Sequence, residues 1–170
     1  YKVNSFKSES VQRIRKEWVG IADAVLKAVD LLVQFGFSGS RLTSQNAAIV
    51  LAYYIYKGGD CDGESKSALQ KYMVHALLKG LYGSGQDQLI SALRNGLRQQ
   101  SSSESGETAY VARFKTLTFA DFTNMTLPQG KSLTLTEADI DRFLDYSKGP
   151  VSFFVLSLLY PQLRFNEVQF

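Results

Sequence analysis

The sequence has few of the residues on which most enzyme active sites depend. Its 170 residues include one cysteine, Cys61, and one histidine, His75. A single cysteine excludes an intramolecular disulfide framework and a cysteine-rich zinc module. A single histidine leaves few ways to build a metal site or a histidine-based catalytic pair. We therefore predict no catalytic residue, no metal site and no cofactor within this chain.

Three patterns resemble functional motifs, but each has a simpler structural interpretation. The glycines of 80–85 are followed by Gln86 and Asp87 rather than by the Lys and Ser/Thr of a phosphate loop, which favours a turn between helices. The acids of 60–64 lack the glycine and glutamate positions of a calcium-binding EF-hand, which favours a solvated turn. The acids of 137–145 are typical of a helix start, where the helix dipole favours negative charge.

Helix-breaking residues are also rare. The three prolines, at 128, 150 and 161, all lie in the last third of the chain, so the first 127 residues lack the strongest helix breaker. Apolar spacing, capping residues and glycine stops predict helices over 9–34, 44–57, 66–82, 86–99, 119–124, 136–146 and 150–160. In the first helix, apolar residues three and four apart predict a buried face of Val11, Ile14, Trp18, Ile21, Val25, Val29 and Leu32.

These helices predict an all-α fold, an irregular multi-helix bundle that forms a single domain. We expect a helical core over 9–98, a mobile polar loop over 99–107 and a C-terminal helical subregion over 108–170. Alternating residues in 110–119 leave a short strand as the alternative at that point. The helix over 44–57, with Thr43 or Ser44 as its cap, is apolar nearly all round and is expected at the centre. In the helix over 136–146, the predicted buried residues are Ile140, Phe143 and Leu144.

The longest nearly apolar runs, 47–56 and 151–160, are about half of the ~20 residues needed to span a bilayer. Both runs therefore predict buried core helices rather than membrane segments. The sequence also begins with Tyr1 instead of Met, from which we expect a piece of a longer protein.

Charge is nearly balanced but unevenly distributed. Nineteen basic and sixteen acidic residues give a net charge of +3, and 64–98 carries five basic residues against two acidic ones. Arg94 and Arg98 lie one predicted helical turn apart, a spacing that suits contact with one phosphate backbone. The candidate nucleic-acid-binding residues are Arg13, Arg15, Lys16, Lys71, Lys79, Arg94 and Arg98. Ordinary solvated surface charge is the alternative interpretation of all seven.

Three segments of the sequence resemble a known family. They are LLVQFGFSGSRLTSQNAAIVLAYYIYKGG at 31–59, LQKYMVHALLKGLYGSGQDQLISALRNGL at 69–97 and FFVLSLLYPQLRFNEVQF at 153–170. Together they resemble the helical region of bacterial GmrSD-type, modification-dependent restriction endonucleases. In that family, the helical region lies between a nucleotide-hydrolysing ParB/sulfiredoxin-like domain with a DGQQR-like motif and a nuclease of the His-Asn-His class. The resemblance covers about 31–170.

The resemblance implies a non-catalytic piece of a cytoplasmic defence enzyme. Neither the DGQQR motif nor the His-x-Asp-His nuclease motif occurs here, so no catalytic residue can be transferred to this chain. The implied partners are the flanking domains of the same polypeptide and the backbone of double-stranded DNA, with no membrane contact. A helical bundle for protein–protein interaction, without a nucleic-acid role, is the alternative. The oligomeric state and the recognised DNA modification are not determined by the sequence.

Overall fold

A computed structural model describes residues 8–37, 42–101, 109–145 and 149–160. Seven α-helices and one β-hairpin are present within these ranges. In chain order they are α1 (Ser8–Gln34), α2 (Asn46–Tyr56), α3 (Gly63–Leu78), α4 (Gln86–Leu97), β1 (Arg98–Ser101), β2 (Ala109–Ala112), α5 (Phe119–Thr123), α6 (Glu137–Leu144) and α7 (Pro150–Leu159). Short 3₁₀ turns cover Leu81–Gly83 and Pro128–Gly130. The fold is mainly helical, as predicted, but the hairpin means that it is not purely all-α.

Helix α3 lies at the centre of the core. Nine of its 16 residues are buried, because α2, α5 and α7 all pack against it. The ring of Tyr72 stacks on Phe122 of α5, with 4.6 Å between the ring centroids, and its hydroxyl is hydrogen-bonded to that of Tyr82. Burial raises the pKa of Tyr82 to about 12, so this pair stays neutral at physiological pH. Helix α2, predicted to be central, packs against α1, α3 and α4, but it is not buried all round, since Ile49 is 48% exposed.

The first helix is correctly predicted, but its buried face is not. Of the seven residues predicted to face inward, only Leu32 is buried, and Trp18 is 60% exposed. The buried residues of α1 are Ala24, Ala28, Leu31 and Leu32. The small side chains of the two alanines let the backbones of α1 and α2 approach closely, so α2 covers that side of the helix. The larger apolar residues are left on the opposite side.

Side-chain capping sets the start of two helices, α5 and α6. Thr118 begins α5 and Thr136 begins α6, and each forms a reciprocal capping box with the aspartate three residues later. Helix α2 differs, because neither Thr43 nor Ser44 caps it and Gln45 precedes it without a side-chain cap. In α6, Phe143 is buried as predicted, whereas Ile140 is 50% exposed. The side chain of Leu144 lies outside the described part of the structure.

The β-hairpin replaces part of the predicted polar loop. Strand β1 begins at Arg98, so α4 ends two residues earlier than predicted and residues 99–101 are extended. Strand β2 lies at the start of the alternating segment 110–119, which confirms the strand alternative over those first residues. The two strands are antiparallel, with Gln99 opposite Val111. The rest of the predicted loop, 102–107, lies outside the described residues.

Two backbone hydrogen bonds attach the hairpin to the helices. The amide of Ala112 donates to the carbonyl of Lys57 at 2.8 Å, and the amide of Arg113 donates to the carbonyl of Leu97 at 2.9 Å. The hydroxyl of Tyr54 also donates to the carbonyl of Lys115 at 2.8 Å. The hairpin is therefore held against the C-terminal ends of α2 and α4. Within the described ranges, no helix is long and apolar enough to cross a membrane.

Candidate anion-binding site

A cleft between α1, α2, α4 and the hairpin collects positive charge. Four cations line it, and we call it the basic cleft: Arg13, Lys57, Arg94 and Arg98. Its volume is about 510 Å³, which is within the range of about 300–1,000 Å³ typical of small-ligand sites. Among its described lining residues, Glu17 is the one carboxylate. The formal charge of these five groups is +3, so the cleft suits an anion.

Each cation comes from a different part of the fold. Arg13 lies on α1 one helical turn before Glu17, so both side chains share one face of that helix. Lys57 follows the last residue of α2. Arg94 lies on α4, and Arg98 is the first residue of β1. Attachment of the hairpin to the Lys57 carbonyl brings Lys57 and the start of the hairpin together.

Three tyrosines also line the cleft, beside Ile14, Ile21 and Ala109, and contact two of its cations. The guanidinium carbon of Arg98 lies 4.0 Å from the ring centroid of Tyr110, and Lys57 Nζ lies 4.3 Å from that of Tyr56. Both distances are typical of cation–π contacts, which position a cation without neutralising it. Lys57 Nζ also lies 5.9 Å from the ring centroid of Tyr53. The cleft therefore combines positive charge with aromatic surface, a combination common in nucleotide-binding and single-strand-binding sites.

The pKa of Lys57 shows that the cations share one electrostatic environment. Burial lowers this pKa from its usual value, and the positive charges of Arg13 and Arg98 lower it further, whereas Glu17 raises it. A lowered lysine pKa means that the charged form is disfavoured in the folded protein, here mainly because the ammonium group is partly buried.

The hydroxyl of Tyr53 is buried behind the cleft and has no hydrogen-bond partner among the described residues. A buried hydroxyl without a partner costs roughly 1–3 kcal/mol. Tyr53 and Arg94 also border a smaller adjoining cavity of about 190 Å³ on the side of Ile49 and Ile90.

The structure brings only some of the predicted nucleic-acid-binding residues together. Arg13, Arg94 and Arg98 meet in the basic cleft, although Arg98 is on a strand and not on the predicted helix. Arg15, Lys16 and Lys71 are exposed elsewhere. Lys79 is engaged in the protein itself: its Nζ lies 2.8 Å from a carboxylate oxygen of Asp139 and donates to the carbonyl of Thr134 at 2.7 Å.

Sequence reasoning missed Lys57 and the tyrosines of the cleft. Tyr53 and Tyr56 lie within the apolar run of α2, where they indicated only a buried helix. Lys57 lies between that run and Gly58 with no other basic residue nearby in the sequence, so the sequence shows no cluster of positive charge there. The one available signal was a single cation directly after two tyrosines at the end of an apolar helix.

The glycines of 80–85 form the predicted turn, whereas the acids of 60–64 lie only partly in a turn, because α3 begins at Gly63. Gly80 and Gly85 both have left-handed backbone angles in the turn between α3 and α4, and Lys131 donates to the carbonyls of Leu81 and Ser84 in that turn. Asp60 is ion-paired with Lys115 at 3.0 Å. Among the described residues, no group of three or more His, Cys, Asp or Glu is arranged to hold a metal ion.

His75 is part of the core packing. Its Nδ1 lies 2.8 Å from the carbonyl oxygen of Leu133, so Nδ1 carries the proton that is donated. Its ring packs on Phe119 with 4.6 Å between the centroids. Burial lowers the pKa of His75, mainly by desolvation and further by Lys71 and Lys79, so it is neutral at physiological pH.

Comparison with protein-family models, with curated proteins and with solved structures finds no match to this chain.

Proposed function

We propose that this domain binds nucleic acid through the phosphates that enter the basic cleft and catalyses no reaction itself. The observation that carries the proposal is the convergence of Arg13, Lys57, Arg94 and Arg98 on one cleft with a single described carboxylate. Phosphate contacts from arginine and lysine supply most of the sequence-independent affinity for DNA. The tyrosines can contact the sugars and phosphates of the same backbone.

The biological setting of the proposal comes from the resemblance to GmrSD-type endonucleases. In that setting, the domain couples a nucleotide-hydrolysing domain to a nuclease in a cytoplasmic anti-phage restriction enzyme, and the cleft holds the duplex backbone near the nuclease. The four cations come from α1, the end of α2, α4 and β1, so the cleft joins four parts of the fold. The alternative is a protein–protein interaction bundle, which the exposed apolar residues of α1 favour.

The experiment measures binding of a fluorescein-labelled 20-base-pair duplex by fluorescence anisotropy over a series of salt concentrations. The variant Arg94→Ala/Arg98→Ala should weaken binding by at least about tenfold at low salt and reduce the slope of log K against log salt by about two. Its matched control is Arg15→Ala/Lys71→Ala, which removes the same charge from outside the cleft. The control should change binding by less than about threefold.

Two results would contradict the proposal. Equal weakening by both double variants would show a general effect of net charge rather than a site. Absence of binding to the wild-type chain even at low salt would remove the nucleic-acid role and favour the interaction bundle. Circular dichroism of each variant establishes that a loss of binding does not reflect unfolding.

A further inference from the structure

Helix α1 exposes more large apolar side chains than a monomer usually leaves in water. They form what we call the apolar α1 face: Trp18, Val19, Val25, Leu26, Val29 and Val33. Val19 is 81% exposed and Leu26 is 65% exposed. At 100° per residue, the six side chains occupy one continuous side of the helix, away from the buried Ala24 and Ala28. Monomeric proteins rarely expose a contiguous apolar patch of this size.

The spacing within this face matches that of a helix which pairs with another helix. Val19, Leu26 and Val33 recur every seven residues, and Ala22 and Val29 fall between them. This alternation of three and four residues is the a/d pattern of paired helices. Trp18 and Val25 extend the apolar strip along one edge.

The opposite edge of the apolar α1 face carries charges that complement a second copy of the same helix. Lys16 and Asp30 both lie on that edge, two heptads apart. If two copies of α1 cross antiparallel, with Ala22 opposite Leu26 at the centre, Lys16 of each copy lies beside Asp30 of the other. Asp23, at the middle of the edge, is ion-paired within its own copy with Lys27 at 2.9 Å. The edge is therefore self-complementary only in the antiparallel orientation.

The available area is of the right order for a dimer. The six exposed side chains present roughly 600 Å² of surface, against about 800 Å² per partner in an interface of standard size. Lys16 and Asp30 along the edge add to this area. Arg13 and Glu17 of the basic cleft lie on the other side of α1, so such contact leaves the cleft open.

We infer that the chain forms a symmetric dimer in which the apolar α1 faces of two copies pack antiparallel. This inference is independent of the proposed nucleic-acid role, because it uses different residues on a different side of α1. Two-fold symmetric interfaces of this kind are the commonest route to homodimers.

Sedimentation equilibrium of the full 170-residue chain from micromolar to millimolar concentration tests the inference. We expect a monomer–dimer equilibrium, and Leu26→Glu should raise its dissociation constant at least about tenfold. The matched control is Val111→Glu, which changes an exposed apolar residue on β2 instead and should leave the equilibrium unchanged. Circular dichroism and the melting temperature at low concentration establish that each variant is folded.

A charge exchange tests the orientation of the two helices. Lys16→Asp and Asp30→Lys should each weaken self-association, because each puts like charges together twice. A mixture of the two single variants should form a heterodimer more tightly than either variant forms a homodimer. A wild-type chain that stays monomeric at millimolar concentration would overturn the inference and assign the face to a different partner. Dimerisation that is insensitive to Leu26→Glu, or a mixture that does not recover affinity, would also overturn it.

Discussion

Helices α1 and α3 are built from similar proportions of apolar residues but have opposite environments. Four of the 27 residues of α1 are buried, whereas nine of the 16 residues of α3 are. The sequence of α1 has a clear apolar stripe, yet most of that stripe faces solvent. Helix α3 has no dominant apolar side, and its neighbours cover most of its circumference. The difference shows that apolar periodicity identifies a side of a helix that is suited to packing. It does not show which side other elements of this domain cover.

The same substitution in the two helices should have very different effects on stability. Leu69 on α3 is fully buried, so Leu69→Ala should lower the free energy of unfolding by about 2–5 kcal/mol, from lost burial and the resulting cavity. Leu26→Ala on α1 should change it by less than about 0.5 kcal/mol in the monomer. Urea denaturation at low protein concentration measures both values. Similar losses for the two variants would mean that α1 is as well covered as α3.

Removing the polar contact at the end of α3 should lower the stability by a smaller amount. Lys79, at the C-terminal cap of α3, is paired with Asp139 of α6, and both side chains are largely buried. The hydrogen bond from Lys79, together with that from the Thr136 amide, holds the pKa of Asp139 well below its usual value. Asp139→Asn should therefore lower stability by about 1–3 kcal/mol.

The pH dependence of the stability difference shows whether the Lys79–Asp139 ion pair is its source. Because its folded-state pKa is depressed, its contribution is present above the unfolded-state pKa of about 3.8 and is lost as the pH falls from there toward the folded-state pKa. The difference between wild type and Asp139→Asn should thus shrink on acidification. Urea denaturation of both proteins between pH 7 and pH 3 measures it, and a difference that stays constant over that range would exclude the ion pair as its source.

The smallest expected effect on stability comes from protonation of His75 on α3. The pKa of His75 is lowered by burial, so its contribution to stability is present above its unfolded-state pKa of about 6.5 and falls as the pH drops below that value. Since His75 is the only histidine, its ring proton gives a single NMR titration curve. We expect the midpoint below 6.5. A midpoint above that value would mean that α3 is less closely covered at this position than the structure indicates.

Local features of this protein were predictable from the sequence because they depend on residues close together in the chain. The start of α6 at Thr136 and the stop at Gly58 follow from capping and from glycine backbone freedom. The left-handed glycines between α3 and α4 were likewise expected as a turn. The hairpin was only an alternative, since its four-residue strands are too short for a strong alternating signal.

The basic cleft was only partly predictable, since its residues are distant in sequence. Arg94 and Arg98 are four residues apart, a spacing that predicts proximity on one face of a helix. Lys57 joins them only because α2 ends beside the hairpin, where its carbonyl accepts a hydrogen bond from Ala112. Lys79 was also a candidate from its place on a basic helix, but folding places it next to Asp139.

The sequence by itself determined that the seven helices of the described residues form and roughly where most of them lie, although α3 covers 63–78 rather than the predicted 66–82. It also determined that the chain has a single cysteine and a single histidine with which to build a catalytic or metal site. Short-range interactions, such as capping hydrogen bonds and side-chain spacing, are sufficient for the helix positions. Only the tertiary structure decided that alanines rather than the larger residues of α1 face α2, and that four cations share one cleft. The physical reason is that close packing and charge proximity depend on which elements meet, and that depends on the whole chain at once.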